Sequence, residues 1–90
     1  MGMPLHQWTH EARDSRLGAT LTTNLWWMNR GSWQRSGYTL VSQATLRGVV
    51  YTYREECPID PTPKRRQSHR ANAAADILRR ARKAGDVRSA

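Results

Sequence analysis

Ninety residues allow one small domain, and a chain of this size buries only about 60–65% of its unfolded surface on folding, so its stability is modest. The formal net charge is +8, from fifteen Lys or Arg against seven Asp or Glu, a balance that points towards polyanions or acidic surfaces. Cys57 is the single cysteine, which excludes an intrachain disulfide and any Cys-based metal site of ordinary spacing.

No apolar run approaches the ~18–20 residues of a membrane helix, and "MGMPLHQWTH" has neither the apolar centre of a signal peptide nor the Ser or Thr of a myristoylation signal. A cytoplasmic protein with no membrane partner is expected. Ile, Leu and Val total thirteen and Phe is absent, so the seven Trp and Tyr rings, each able to bury about 150–250 Å², must provide much of the core.

Residues 1–18 show little periodicity and read as an N-terminal arm. The region 19–56 reads as antiparallel sheet. "ATLTTNLWWM" alternates, with Leu21, Thr23, Leu25 and Trp27 on one face and Thr20, Thr22, Asn24, Trp26 and Met28 on the other. "NRGS" supplies turn chemistry, since Asn and Gly accept positive φ. "YTLVSQATL" and, after Gly48, "VVYTYRE" continue the alternation, which makes three strands of a meander over about 19–55.

Pro58, Pro61 and Pro63 then interrupt regular structure, and 57–67 reads as a Pro-rich basic linker. Ser68 is a candidate N-cap and Gly85 a candidate C′ residue for a basic amphipathic helix over 68–85, followed by a tail at 86–90. On its wheel Ala71, Ala74, Ile77, Leu78, Ala81 and Ala84 share one arc and the cations fill the remainder. The expected fold is α+β, with a small three-stranded antiparallel meander followed by this helix, and 19–85 forming one small domain.

The charge is concentrated at the C-terminal end. Residues 1–60 hold six Arg against five acids, whereas residues 61–90 hold nine Lys or Arg against two. Thirteen of the fifteen cations are Arg, whose planar fork grips phosphate and stacks on bases. Lys64, Arg65, Arg66, Arg70, Arg79, Arg80, Arg82 and Lys83 are therefore candidate nucleic-acid-binding residues, the first four as an extended clamp just ahead of and inside the first turn of the helix. Trp26, Trp33, Tyr51 and Tyr53 are candidates for base stacking or a protein interface, accompanied by Arg30, Arg35 and Arg54. His6 and His10, with Glu11 beside them, have a possible metal-ligand spacing if helical, since i and i+4 share a face, but the two His lack a third convincing ligand, so no metal and no cofactor is expected.

"SGYTLVSQATLRGVVYTYRE" resembles the central hairpin of the small basic ribonuclease toxins of the RelE type. The resemblance covers Ser36 to Glu55 alone, and the helical hairpin that precedes it in those toxins has no counterpart in "LGATLTTNLWWMNRGSW". It implies a ribonuclease reading in which His69, with Arg65 and Arg70, touches a scissile phosphate. No recognisable acid/base pair accompanies those residues.

The sequence thus favours a non-enzymatic module that binds RNA or DNA through its Arg-rich linker and helix. The competing reading is an inhibitor or adaptor encoded by a phage or mobile element, docking on a host protein or ribonucleoprotein complex through Trp, Tyr and Arg, enriched at interface hot spots. A homodimer is compatible with either.

Overall fold

In the computed structural model, which describes residues 4–28 and 37–85, the alternation along "ATLTTNLWWM" buries Leu21, Thr23 and Leu25 and leaves Thr20 exposed. This segment is β2 (Ala19–Met28). It stands in one antiparallel sheet with β1 (Pro4–Asp14), β3 (Gly37–Leu46) and β4 (Val49–Cys57), ordered β1-β2-β3-β4 as in the chain, and α1 (Pro63–Ala84) covers one face. The fold is α+β with a C-terminal helix. The sheet has four strands rather than three, because the expected arm contributes β1.

Two features hide β1 from a reading of the sequence. Its register against β2 slips between His6 and Trp8, which breaks the period of two. From Trp8 onward, Trp8, His10, Ala12 and Asp14 lie opposite Leu25, Thr23, Leu21 and Ala19, so two of the four residues on this stretch of its helix-side face are polar. That polarity is tolerated because α1 lies mainly over β4 and β3, with less contact to β2.

The turns follow local chemistry. Asp14 Oδ1 accepts from the N–H groups of Arg16 (2.9 Å) and Leu17 (3.1 Å), and Gly18 closes the turn at φ 68°. Between β3 and β4, Arg47 (φ 50°) and Gly48 (φ 80°) are both left-handed, as a two-residue hairpin turn of matching twist requires.

The N-cap lies six residues earlier than Ser68. Thr62 is the N-cap, its Oγ1 accepting from the Arg65 N–H at 3.1 Å, and Pro63 occupies the first turn, where its missing N–H costs nothing. The segment read as an extended linker from Pro63 onward is therefore helical. Gly85 (φ 79°) ends the helix in the left-handed conformation, and Arg47 Nη1 reaches its carbonyl at 3.2 Å, setting a cation at the negative end of the dipole.

Beneath α1, Ala74, Ile77, Leu78 and Ala81 pack on Leu17, Leu21, Ala44, Leu46 and Tyr51. The alanines allow close approach, so a helix with only two large aliphatics is still seated. A second cluster joins Leu25, Leu40 and Cys57, with Trp8 and Tyr38 against it. Burial pushes the Cys57 thiol up from its ordinary value. Ile77 is at the centre of the first cluster and fully buried. Ile77→Ala should lower stability by about 2–5 kcal/mol, read as a lower urea midpoint at unchanged m-value.

Candidate functional site

The eight candidate cations of α1 divide into three groups according to which way the wheel turns them. Lys64, Arg79, Arg82 and Lys83 are on the exposed side, with Arg79 bonded to Asp76 at 2.6 Å. Arg65 and Arg80 lean towards β4. Arg65 meets Glu55 Oε2 at 3.2 Å, while Arg80 donates to the Thr52 carbonyl (2.8 Å) and Asp76 (3.0 Å) and lies 5.5 Å over the Tyr51 ring. Burial alone would raise the Asp76 carboxyl, but the hydrogen bonds from Arg79 and Arg80 hold it below its ordinary value.

The third group faces β1. The Arg66 and Arg70 guanidinium carbons stand 5.1 Å and 5.7 Å from the Trp8 ring centroid, a cation–π arrangement, and Trp8 is stacked on His10 with centroids 5.8 Å apart. Next to this stack a cleft of about 330 Å³ opens between β1 and α1, with His10, Arg13, Asp14, Arg16, Gln67 and Arg70 on its walls. Asp14 is committed to the β1–β2 turn, and Arg66 reaches Asp60 at 3.4 Å. His10 Nδ1 and Arg66 Nε are buried without a hydrogen-bond partner among the described residues.

A second polar assembly is enclosed between sheet and helix. The Thr23 and Ser42 hydroxyls are 2.7 Å apart, Ser42 Oγ is 2.9 Å from His69 Nε2, and His69 Nδ1 is 2.8 Å from Glu55 Oε1. Burial pushes His69 below the ordinary imidazole value. The Glu55 bond opposes that shift without overcoming it, and Arg70 and Arg65 add to it. Neutral His69 then donates from Nδ1 to Glu55 and accepts a hydrogen bond from the Ser42 hydroxyl at Nε2. A Ser–His–carboxylate order is also how serine nucleophiles are activated, but Ser42 and His69 are both 0% exposed. The chain satisfies buried polar groups and ties three strands to the helix. His69 is thus in no position to touch a scissile phosphate, which corrects the role implied by the toxin resemblance.

Among the described residues, no helix covers the opposite face of the sheet. Asn24, Trp26, Thr39, Val41, Gln43 and Arg54 border a hollow of about 430 Å³ there.

No protein-family model, curated protein or solved structure matches this chain.

Of the aromatic candidates, Tyr51 is 7% exposed within the core and Tyr53 packs against the same cluster and tilts on His69. Covered by α1, these rings are not stacking surfaces. Trp26 borders the open-face hollow, while Trp33, Arg30 and Arg35 lie outside the described residues. His6 and His10 are on a strand with a register shift between them, so a helical i, i+4 face does not exist there, and no group of three potential metal ligands assembles among the described residues. No described helix is long and apolar enough to cross a membrane. Trp8, Arg16 and Gln67 were missed as site residues. Arg16 in "HEARDSR" was the available signal, but only long-range pairing brings it to the helix.

The His69 chain gives a pH dependence of definite sign. Its folded-state pKa is depressed, so the unfolded chain binds the proton more readily, and the stabilisation present above about pH 6.5 is lost as pH falls through that value. Urea midpoints should fall between pH 7.5 and 5.5, and His69→Gln should flatten the slope. An equal slope in the variant would assign it to other groups.

Proposed function

We propose that this chain is a small, non-enzymatic nucleic-acid-binding module that holds phosphates along the side of the molecule where β1 meets α1. The observation that carries the reading is the β1–α1 cleft, where Arg16 and Arg70 stand on the walls with Asp14 as the one acid among its lining residues, while Arg13 belongs by the alternation of β1 to the opposite face of that strand. Cations from elements so far apart in sequence repel one another, and an anion between them removes that cost. Lys64, Arg82 and Lys83 extend the positive surface along the exposed side of the helix. Arg65 and Arg80 make a smaller contribution, since both are held by groups on β4.

In this reading the grip is a cleft flanked by a helix face, rather than a flexible basic clamp. Affinity is dominated by phosphate contacts and carries little base selectivity. Each contact contributes a slope of roughly −0.9 on duplex DNA, or −0.7 on a single strand, to the dependence of log K on log salt.

Fluorescence anisotropy with labelled single- and double-stranded oligonucleotides over a salt series tests this. The double variant Arg70→Ala/Arg82→Ala should weaken binding to all sequences alike and flatten the salt slope by about 1–2. An unchanged slope removes these residues from the interface, and absence of binding even at low salt refutes the reading.

A further inference from the structure

An edge strand presents a row of backbone groups that no neighbour uses, and a further chain can pair with it. Among the described residues β4 has β3 on one side and no strand on the other, and its 9 residues make a long edge. Which of its groups face outward follows from the hairpin. Arg47 and Gly48 form a two-residue turn, so Leu46 and Val49 are a hydrogen-bonded pair, and every second residue from Val49 onward bonds to β3. Val50, Thr52, Arg54 and Glu56 therefore turn their backbone N–H and C=O groups away from the sheet.

The middle of this edge is occupied. Arg80 Nη1 donates to the Thr52 carbonyl at 2.8 Å, from the outer side that the pairing leaves open. The same nitrogen donates to Asp76 Oδ2 at 3.0 Å, and the guanidinium lies 5.5 Å over the Tyr51 ring, so the side chain is fixed from the helix and from the strand at once. A charged donor in this position takes the acceptor that an incoming strand needs. The strand that fits is β4 of a second copy, because in an antiparallel two-fold pair the outward residues of one copy meet the outward residues of the other. A register centred on Arg54 sets two cations face to face, which is unfavourable. Centred on Thr52, it brings Thr52 to Thr52, Val50 to Arg54 and Tyr51 to Tyr53, covers the exposed Val50, and makes each Thr52 carbonyl accept from the Thr52 N–H of the other copy. That carbonyl is the one Arg80 holds.

We infer that the outer edge of β4 is a self-association surface for a second copy of this chain, and that Arg80, bonded to the Thr52 carbonyl, is the guard that keeps it closed. The inference stands apart from the nucleic-acid reading, since it rests on the strand order and on contacts within the chain.

Sedimentation equilibrium of the full chain tests it, together with hydrogen exchange of the β4 amides followed by nuclear magnetic resonance. In the wild type the Val50, Thr52 and Arg54 amides should exchange much faster than those of Tyr51 and Tyr53, which bond to β3. Arg80→Met keeps a flexible apolar stem over Tyr51 but has no donor for Thr52. It should dimerise at concentrations at least about tenfold lower than the wild type does, because a hydrogen bond from a charged group no longer has to be given up, and its Val50, Thr52 and Arg54 amides should become protected as the dimer forms. Adding Val50→Lys, a charge on the edge at an exposed position, should return the Arg80→Met chain to monomer. Asp76→Ala, which frees Arg80 from its partner on the helix, should act in the same direction by a smaller factor, and it takes over the test if Arg80→Met does not fold. A folded variant as monomeric as the wild type overturns the guard. Association that protects none of these amides, or that Val50→Lys leaves unchanged, overturns the β4 edge as the surface.

Discussion

One buried imidazole sets the position of everything else. His69 reaches Ser42 on β3 with one ring nitrogen and Glu55 on β4 with the other, and Ser42 passes the chain on to Thr23 on β2. A hydrophobic seam of alanines and two aliphatics would tolerate sliding, because such contacts are non-directional. Hydrogen bonds in a dry interior do not, since an orphaned group there costs about 1–3 kcal/mol. The polar chain therefore fixes both the translation and the rotation of α1 on the sheet. That rotation turns Arg66 and Arg70 towards Trp8 and sends Arg65 to Glu55.

The scarcity of large aliphatics has a spatial result. Ala73, Ala74 and Ala81 bring the helix backbone close to the sheet, but a helix seated over β4 and β3 cannot also cover β1. The uncovered strip of β1 carries His10, Ala12 and Asp14 in place of a core, and the cleft occupies that strip. Site and core are thus two consequences of one composition. Where the chain runs out of apolar bulk, polar and cationic side chains take the inner face.

The three later strands were legible because their β-branched and aromatic residues alternate along the sequence, although burial breaks step at Thr39 and Val49, and Gly48 and Gly85 mark turns that need left-handed backbone. β1 was not, since its register slips and its inner face lacks the apolar signal. The helix start was misplaced although its signal was present: Thr62 followed by Pro63 is an N-cap and first-turn pair, masked by two further prolines. The role of Tyr51 depended on which strands the helix covers. The cleft was unreadable in principle from spacing, because His10 and Arg16 come to line one hollow with Gln67 and Arg70 only through the sheet order and the helix rotation together.

Cys57 closes β4, the residue only 5% exposed, packed with Leu25 and Leu40 beside the strand end that leads into the helix. Burial keeps the sulfur protonated and shielded, so a thiol reagent meets it only when that end of the sheet opens. The molecule consequently carries its own clock. The pace at which a reagent modifies this one sulfur measures how often strand and helix part, with no label added and no residue changed.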